Sequence, residues 1–397
     1  MNLKHYLAAG FAILLVAALV ACPQATYAAS AEGLALWWNV VLPSLLPFFV
    51  GAELLMGLGA VHCLGVLLEP VMRPLFRVPG SGGFVLAVSL ASGFPMGAML
   101  ASQYRQKGVL SKKEGERLLS FASTAGPLFM TGAVATGLLG WPEGGPVILL
   151  AHYLSCLVTG LALRFHGGGG LEKTPPQRTG PLLGRAAAAL VAARRADGRP
   201  LGTLLGDAVK KAFASLTLVG GFIISFSVLI ELVGVSGLTD GLAALFQVPG
   251  QTVKLILTGF LEVTNGCRLA AQSSLTMGAK VVAMSAMIAW GGLSVQGQAA
   301  SFAGNTDLSL KPFYLARALQ AALAALFAFL LLRCTWLPPL PTAALYVTLS
   351  LGRKYLFSLA GLALSLLIPA GVGLTLAFFS ALGRVKLAVF KINQPRS

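Results

Sequence analysis

Long apolar runs dominate the chain, and the polar positions that interrupt them recur at matching places. Runs near residues 4–22, 38–60, 118–139, 147–165, 213–233, 281–300, 313–334 and 356–381 each predict a helix able to cross a hydrocarbon core of about 30 Å. Two further apolar segments, 84–103 and 251–275, are broken midway: by Ser92-Gly93-Phe94-Pro95-Met96-Gly97 in the first and by Glu262-Val263-Thr264-Asn265-Gly266 in the second. Backbone that leaves helical geometry at membrane depth must be buried in protein or line a wet cavity, because lipid offers it no hydrogen bonds. Both segments are therefore expected to be re-entrant hairpins at a site, with ordinary kinked helices as the alternative.

The two broken segments belong to related halves. Phe76–Gly80 reads FRVPG and Phe246–Gly250 reads FQVPG, each just upstream of a break. Downstream, Gly126-Pro127-Leu128…Gly132 and Gly291-Gly292-Leu293…Gly297 share the pattern G-x-L-x-x-x-G. Interrupted hydrophobic segments at corresponding positions of two halves point to a transporter-like site. The expected fold is an all-α polytopic membrane protein of two inverted repeats, each with a re-entrant hairpin and interrupted helices. The expected division is an N-terminal span (1–34), a first repeat (35–165), a basic linker (166–211), a second repeat (212–335) and a C-terminal span with a basic tail (336–397).

Composition agrees with a bilayer: 56% of residues are apolar, 11% are charged and the mean hydropathy is +0.81. The net charge of +16 would suit nucleic acid, but its distribution argues otherwise. The basic residues gather between Ser102 and Arg117, between His166 and Lys211, and in the C-terminal tail. The short loops Gly140–Pro146 and Gly234–Gly250 contain no Lys or Arg. With a cytoplasmic N-terminus and Pro338–Lys354 outside, all three clusters face the cytoplasm, the positive-inside pattern. The lipid bilayer is thus the expected partner, and nucleic acid is not. Lys4, the apolar run to Ala21 and Ala29-Ser30-Ala31 look partly like a signal peptide, although a retained span is expected. Five scattered cysteines and four histidines show no metal or disulfide spacing. His62 and His152 are expected at the membrane interface, and His5 and His166 exposed.

Within the second break, Glu262 is an ionisable group at membrane depth, which is functional by default. Thr264 and Asn265 offer hydroxyl and amide groups, Gly266 permits close approach, and Arg268 would neutralise Glu262 or meet an anionic substrate. The plain structural reading is a Glu262–Arg268 pair that holds the hairpin. In the first half Ser92, Gly93, Pro95 and Gly97 form the matching break, where Pro95 frees an upstream carbonyl. Helix ends there would hold a carboxylate through N–H groups or a cation through C=O groups. Thr124, Gly126 and Pro127, with Gly291, Gln296 and Gln298, are expected to line the cavity or, equally, to permit close helix packing. Glu53 is a candidate proton-coupling carboxylate or a hydrogen-bonded bundle residue. Asp307, Lys311 and Arg317 are expected to anchor the start of the next span.

Leu42-Pro43-Ser44-Leu45-Leu46-Pro47-Phe48, the break at Ser92–Ala98, Thr124-Ala125-Gly126-Pro127, Glu262–Cys267 and Thr306-Asp307-Leu308-Ser309-Leu310-Lys311-Pro312 together resemble the YlbJ family of sporulation integral membrane proteins. That family lies within the nucleoside-recognition (Gate) domain group and is distantly similar to concentrative nucleoside transporters. The resemblance covers roughly residues 35–335. It implies an endospore-forming bacterium, a multi-pass protein of the mother-cell-derived outer forespore membrane, and movement of dipicolinic acid (dipicolinate) from mother cell to forespore. The nucleoside-transporter relatives bind substrate between two re-entrant hairpins, couple to Na⁺ or H⁺, and are compatible with a homo-oligomer. For a planar dianion, Glu262 fits only if it is protonated, paired or bound to a co-travelling cation. A nucleoside or other small-solute carrier and a non-transporting scaffold for spore assembly remain alternatives. An enzyme does not: the chain has no H-E-x-x-H, no paired intramembrane aspartates and no GxxxxGK[ST].

Overall fold

The computed structural model describes residues 3–167 and 181–333. The expected span at 356–381, the stretch Pro338–Lys354, Cys334 and the basic tail lie outside the described residues. Among these, the chain is helical with no strands. An N-terminal pair, α1 (Leu3–Ala21) and α2 (Pro23–Leu36), is followed by a π-helical turn, Trp37–Val41, that leads into α3 (Leu42–Gly57). Then come α4 (Ala60–Phe76), α5 (Ser81–Ser92), α6 (Met96–Gln106), α7 (Lys112–Ala122), a π-helix (Leu128–Leu138) and α8 (Gly145–Leu163). After α9 (Leu182–Asp197), the second half repeats the order with α10 (Leu201–Val235), α11 (Leu238–Phe246), α12 (Gly250–Leu261), α13 (Val263–Gln272), α14 (Met277–Trp290), α15 (Gly292–Ala303) and α16 (Lys311–Arg333).

Backbone geometry confirms the repeat at a finer level than composition. The described residues contain two non-glycine positions with positive φ, Arg77 and Gln247, both at φ 54°. They are the second residues of FRVPG and FQVPG, and each ends the helix before a broken hairpin. Each of those helices also begins after a left-handed glycine: Gly59 (φ 80°) before α4 and Gly237 (φ 73°) before α11. A left-handed cap is strained for arginine or glutamine, so its recurrence at equivalent places marks a shared design.

The repeats are inverted, because equivalent helices run antiparallel. Along α3 and α10, Trp37 Nε1 donates to Leu216 O (2.9 Å), while Lys211 Nζ lies 3.4 Å from Glu53. A Cβ on Gly57 would meet Leu204. Ascending α3 therefore means descending α10. The α8 and α16 pair behaves likewise. Ala125 N–H donates to His152 (3.0 Å) and Cys156 Sγ to Phe121 O (3.0 Å), so α8 runs against α7. Ser309 N–H meets Glu116 and Arg317 meets Ser120 and Ser123, so α16 runs with α7. Arg317 also reaches Ala289, and Leu332 lies by Gly278, so α16 runs against α14. Helices α7 and α14 are thus opposed too.

Among the described residues, four helical stretches are long and apolar enough to cross a membrane: Pro142–Leu163, Leu201–Val235, Met277–Ala303 and Lys311–Arg333. The expected spans 4–22 and 38–60 are the first limbs of two bent pairs: Ala9–Ala21 with Pro23–Asn39 (100°), and Leu45–Gly57 with Ala60–Phe76 (84°). Another expectation is corrected. The run 118–139 is not one helix, since α7 stops at Ala122 and the π-helix starts at Leu128. Pro127 supplies no N–H to continue the helix, and Ser123 is extended (φ −82°, ψ 94°). The expected span 281–300 lies within Met277–Ala303 and carries an unexpected break at Gly291.

Candidate functional site

Each repeat contains two chain breaks, and in each repeat the breaks touch. In the first, α5 ends at Ser92, Gly93 takes φ 87° and ψ −166°, a cis Phe94–Pro95 bond follows, and α6 starts at Met96. A Cβ on Gly93 would lie 2.6 Å from Gly126 N, and one on Gly126 would lie 3.0 Å from Ser92 O. Only glycine allows the hairpin tip to reach the gap between α7 and the π-helix this closely. Gly97 serves the same end on the first turn of α6, where a Cβ would collide with Ala122 O. Hydroxyls close the junction. Thr124 Oγ1 donates to Ser89 O (3.0 Å) and sits 3.3 Å from Ser89 Oγ, while Ser92 Oγ donates to Val88 O (2.7 Å).

The second repeat reaches the same topology with different chemistry. Helix α12 ends at Leu261 and α13 starts at Val263, with Glu262 between them in extended geometry (φ −145°, ψ 125°). The Glu262 side chain is buried (2% exposed) and caps α13, accepting the Asn265 N–H at 2.7 Å. Gly291 (φ 80°) and Gly292 (φ 71°) separate α14 from α15. A Cβ on Gly292 would lie 3.0 Å from Glu262 Cα, from Leu261 O and from Val263 N. Asn265 Nδ2 donates to Ser227 Oγ on α10 (3.3 Å), and Gln296 Nε2 donates to Trp290 O across the break (3.1 Å). Gly266 lets the hairpin limbs cross, since a Cβ there would collide with Gly259 Cα.

The two junctions meet. Phe94, at the tip of the first hairpin, lies 3.6 Å from the position a Cβ on Gly291 would occupy. Four helix N-termini (α6, the π-helix, α13 and α15) therefore gather around the breaks. The leading N–H groups of a helix lack internal acceptors and carry partial positive charge. The opposing C-terminal ends of α7 and α14 are covered by Arg317, which is fully buried. Its guanidinium donates to Ser120 O (2.6 Å) and Ser123 O at the end of α7, and to Ala289 O (3.4 Å) on α14. The negative ends of two helices thus stand in for a carboxylate partner. The N-termini of α6, the π-helix, α13 and α15 thus share the breaks with the C-termini of α5 and α12, and Glu262 caps one of those N-termini.

Ser92, Gly93, Pro95, Gly97, Thr124, Gly126, Glu262, Thr264, Asn265, Gly266 and Gln296 all fall at the breaks or one turn from them. Arg268 and Glu53 engage elsewhere. Arg268 is exposed and reaches Glu32 on α2 (3.3 Å), not Glu262. Glu53 is buried on α3 and faces Lys211. Sequence reasoning missed two residues. Arg317, read as an anchor at a span end, is the buried clasp between repeats. His152, read as interfacial, is fully buried, with Nε2 accepting the Ala125 N–H in the gap between α7 and the π-helix and Nδ1 without a partner among the described residues. The available signal was position: each lies well inside an apolar run, where a polar group must find an internal partner. Ser294 Oγ, buried and without a partner at the start of α15, belongs to the same neighbourhood.

The comparisons with known proteins follow this anatomy. Residues 38–142 match the Gate (nucleoside recognition) family model; that segment runs from α3 through the first repeat's two breaks. The sporulation integral membrane protein YlbJ of Bacillus subtilis (strain 168) is 44% identical over 339 residues, covering 83% of each chain. Among solved structures, a double variant of CNTnw in an outward-facing state aligns over 81% of this chain and 86% of its own. That alignment has 14% identity and a TM-score of 0.35.

Proposed function

Because the chain belongs to the family of the sporulation integral membrane protein YlbJ, we propose that it is a secondary carrier that moves a small anionic solute, dipicolinic acid, from mother cell to forespore. The observation that carries this reading is the meeting of four helix N-termini at paired breaks while Arg317 covers the C-termini of α7 and α14. Such an arrangement favours an anion and needs no mobile side chain to do so. Ser92, Gly93, Pro95, Thr124 and Gly126 would present one half of the site; Glu262, Thr264, Asn265 and Gln296 would present the other.

Glu262 gives the reading its mechanism. A carboxylate beside a dianion must carry a proton or be accompanied by a cation when substrate is bound, and Arg268 is turned toward Glu32. Coupling to H⁺ or Na⁺ at Glu262 meets that requirement, and Glu53 is a second candidate. The protein would act in the outer forespore membrane, and oligomerisation is not needed to complete a site formed by one chain. The Gate match over the first repeat favours a nucleoside as the second reading.

The test is uptake into proteoliposomes of labelled dipicolinate or labelled nucleoside, under imposed H⁺ or Na⁺ gradients, with wild type beside Glu262→Gln. Gradient-driven dipicolinate uptake that falls at least about tenfold in the variant would support a carrier coupled at Glu262. Uptake of nucleoside alone would transfer the site to the second reading. No uptake of either by folded protein would sink the carrier and leave a scaffold.

A further inference from the structure

Away from the breaks, α4, α6 and α9 enclose a cavity of about 220 Å³. Much of its wall is apolar, from residues such as Met56, Val61 and Val66, and its charged groups are basic in excess. Glu69 is already engaged within the wall, pairing with Arg73 and accepting the Gly80 N–H. Lys107 and Arg185 also line the cavity, and neither has a carboxylate partner among the described residues. Tyr104 is 5% exposed, lines the same cavity, and its hydroxyl makes no hydrogen bond among the described residues; Ser81 Oγ is also buried and without a partner among them. Buried hydroxyls are nearly always paired. Other buried hydroxyls, such as Ser102 and Ser285, also lack a partner among the described residues, but Tyr104 and Ser81 stand beside two cations without a carboxylate, a set that suits an anion with several acceptor oxygens.

The position of the cavity narrows the choice. Helix α9 is seated on α4 at Gly59, where a Cβ would lie 2.5 Å from Leu190 O. Alongside Arg185 on that helix, Leu183 and Val191 are exposed at 76% and 46%. Apolar side chains interleaved with arginines on an exposed helix are the pattern of a segment lying in the headgroup layer. The cavity therefore opens where lipid headgroups lie, on the face that the basic segments assign to the cytoplasm. We propose that it binds the phosphate group of an anionic lipid, paired by Lys107 and Arg185 and hydrogen-bonded by the Tyr104 and Ser81 hydroxyls. The site is separate from the breaks, so its occupancy does not depend on the cargo.

Native mass spectrometry of the full chain in neutral detergent tests this, with phosphatidylglycerol, phosphatidylcholine and glycerol 3-phosphate as probes. A one-to-one phosphatidylglycerol adduct that phosphatidylcholine does not form is expected. The double variant Lys107→Gln/Arg185→Gln should weaken the adduct about tenfold, and Tyr104→Phe about threefold. Arg195→Gln/Lys210→Gln, exposed positions outside the cavity with the same charge loss, should leave it unchanged. Equal losses in the two double variants, or full binding by the cavity variant, would overturn the proposal. Displacement of the lipid by glycerol 3-phosphate at similar affinity would overturn the lipid assignment in favour of a free phosphate ester. If the cavity double variant fails to fold, Tyr104→Phe decides, with undiminished binding counting against the site.

Discussion

The two pairs of breaks have the same topology and opposite chemistry. In the first repeat the contact is made by neutral groups: Thr124 and Ser89 hydroxyls, the His152 ring on Ala125 N–H, and glycine against glycine. In the second a buried carboxylate caps the hairpin's returning helix, and Asn265 ties it to α10. A duplicated fold requires the backbone reversals in both halves, so those recur. Charge at membrane depth is tolerated where function uses it, and at the two junctions it lies on the second, where Glu262 caps α13. Under the proposed carrier, the first junction would serve as a rigid seat and the second as the place of coupling.

The largest expected effect comes from removing what the two junctions share. Arg317→Met leaves carbonyls of both α7 and α14 without their donor, each an unmet buried acceptor worth about 1–3 kcal/mol. Loss of monodisperse protein on size-exclusion chromatography, or a melting temperature lowered by more than 10 °C (an order-of-magnitude expectation of roughly 3–5 kcal/mol), is expected. Arg317→Lys should recover some of the loss, having fewer donors in a less fixed geometry. A stable Arg317→Met protein would show that the junctions stand independently.

Gly93→Ala and Gly292→Ala probe the seats themselves. Each adds a Cβ within 2.6 or 3.0 Å of the partner break and imposes a positive φ on alanine, for about 1–3 kcal/mol each. Gly221→Ala, in open space on α10, should instead stabilise by about 0.5–1 kcal/mol through helix propensity. Thermal melting of the three variants in one detergent checks the order. Matching losses at Gly93 and Gly292 would sharpen the symmetry, and a loss at one alone would break it.

Function should divide where stability does not. Asn265→Ala is expected to lower gradient-driven uptake about tenfold while Thr124→Val lowers it about threefold, with melting shifts under about 1 kcal/mol for each. Proteoliposome flux normalised to inserted protein measures both. Equal flux losses would place coupling in both halves and remove the asymmetry argued above.

The hairpin breaks were legible because lipid leaves few reasons for glycine, proline and carboxylate to share an apolar run: positions 93–95 and 262 were marked in the sequence as breaks, whereas Gly291 was marked only as a residue lining or packing the cavity. The duplication was legible from FRVPG and FQVPG, whose second residues are the two left-handed caps. Partnership was not. Arg268 follows Glu262 closely in sequence, but α13 turns it outward to Glu32, since residues six apart on a helix occupy different faces. Arg317 and His152 lay within runs that hydropathy reads as lipid-facing, and their role depends on helix ends supplied by distant segments. The break at Ser123–Pro127 was also missed as a break, because a proline near the middle of an apolar run is compatible with a kinked span until the backbone is seen.

The smallest effect concerns the outer ends of the interrupted helices. Helix α7 begins with a Ser111–Glu114 capping box, and Glu116 is tied on three sides by Lys113 (3.0 Å), His166 (2.8 Å) and the Ser309 N–H (3.1 Å). Its counterpart α14 starts on the Thr276 hydroxyl alone. Burial works to raise the Glu116 carboxyl, but the His166, Lys113 and Ser309 hydrogen bonds prevail and hold it below the ordinary carboxylate value. A depressed carboxylate contributes stability that is complete above its unfolded pKa and is lost as pH falls through the folded one. Wild type should therefore exceed Glu116→Gln by about 1–2 kcal/mol at pH 7, and the gap should close in strong acid. Melting curves of the two proteins from pH 7 to pH 3 measure it. A gap that stayed constant with pH would mean that Glu116 acts through shape and packing, leaving the ends of α7 and α14 as alike in their electrostatics as they are in topology.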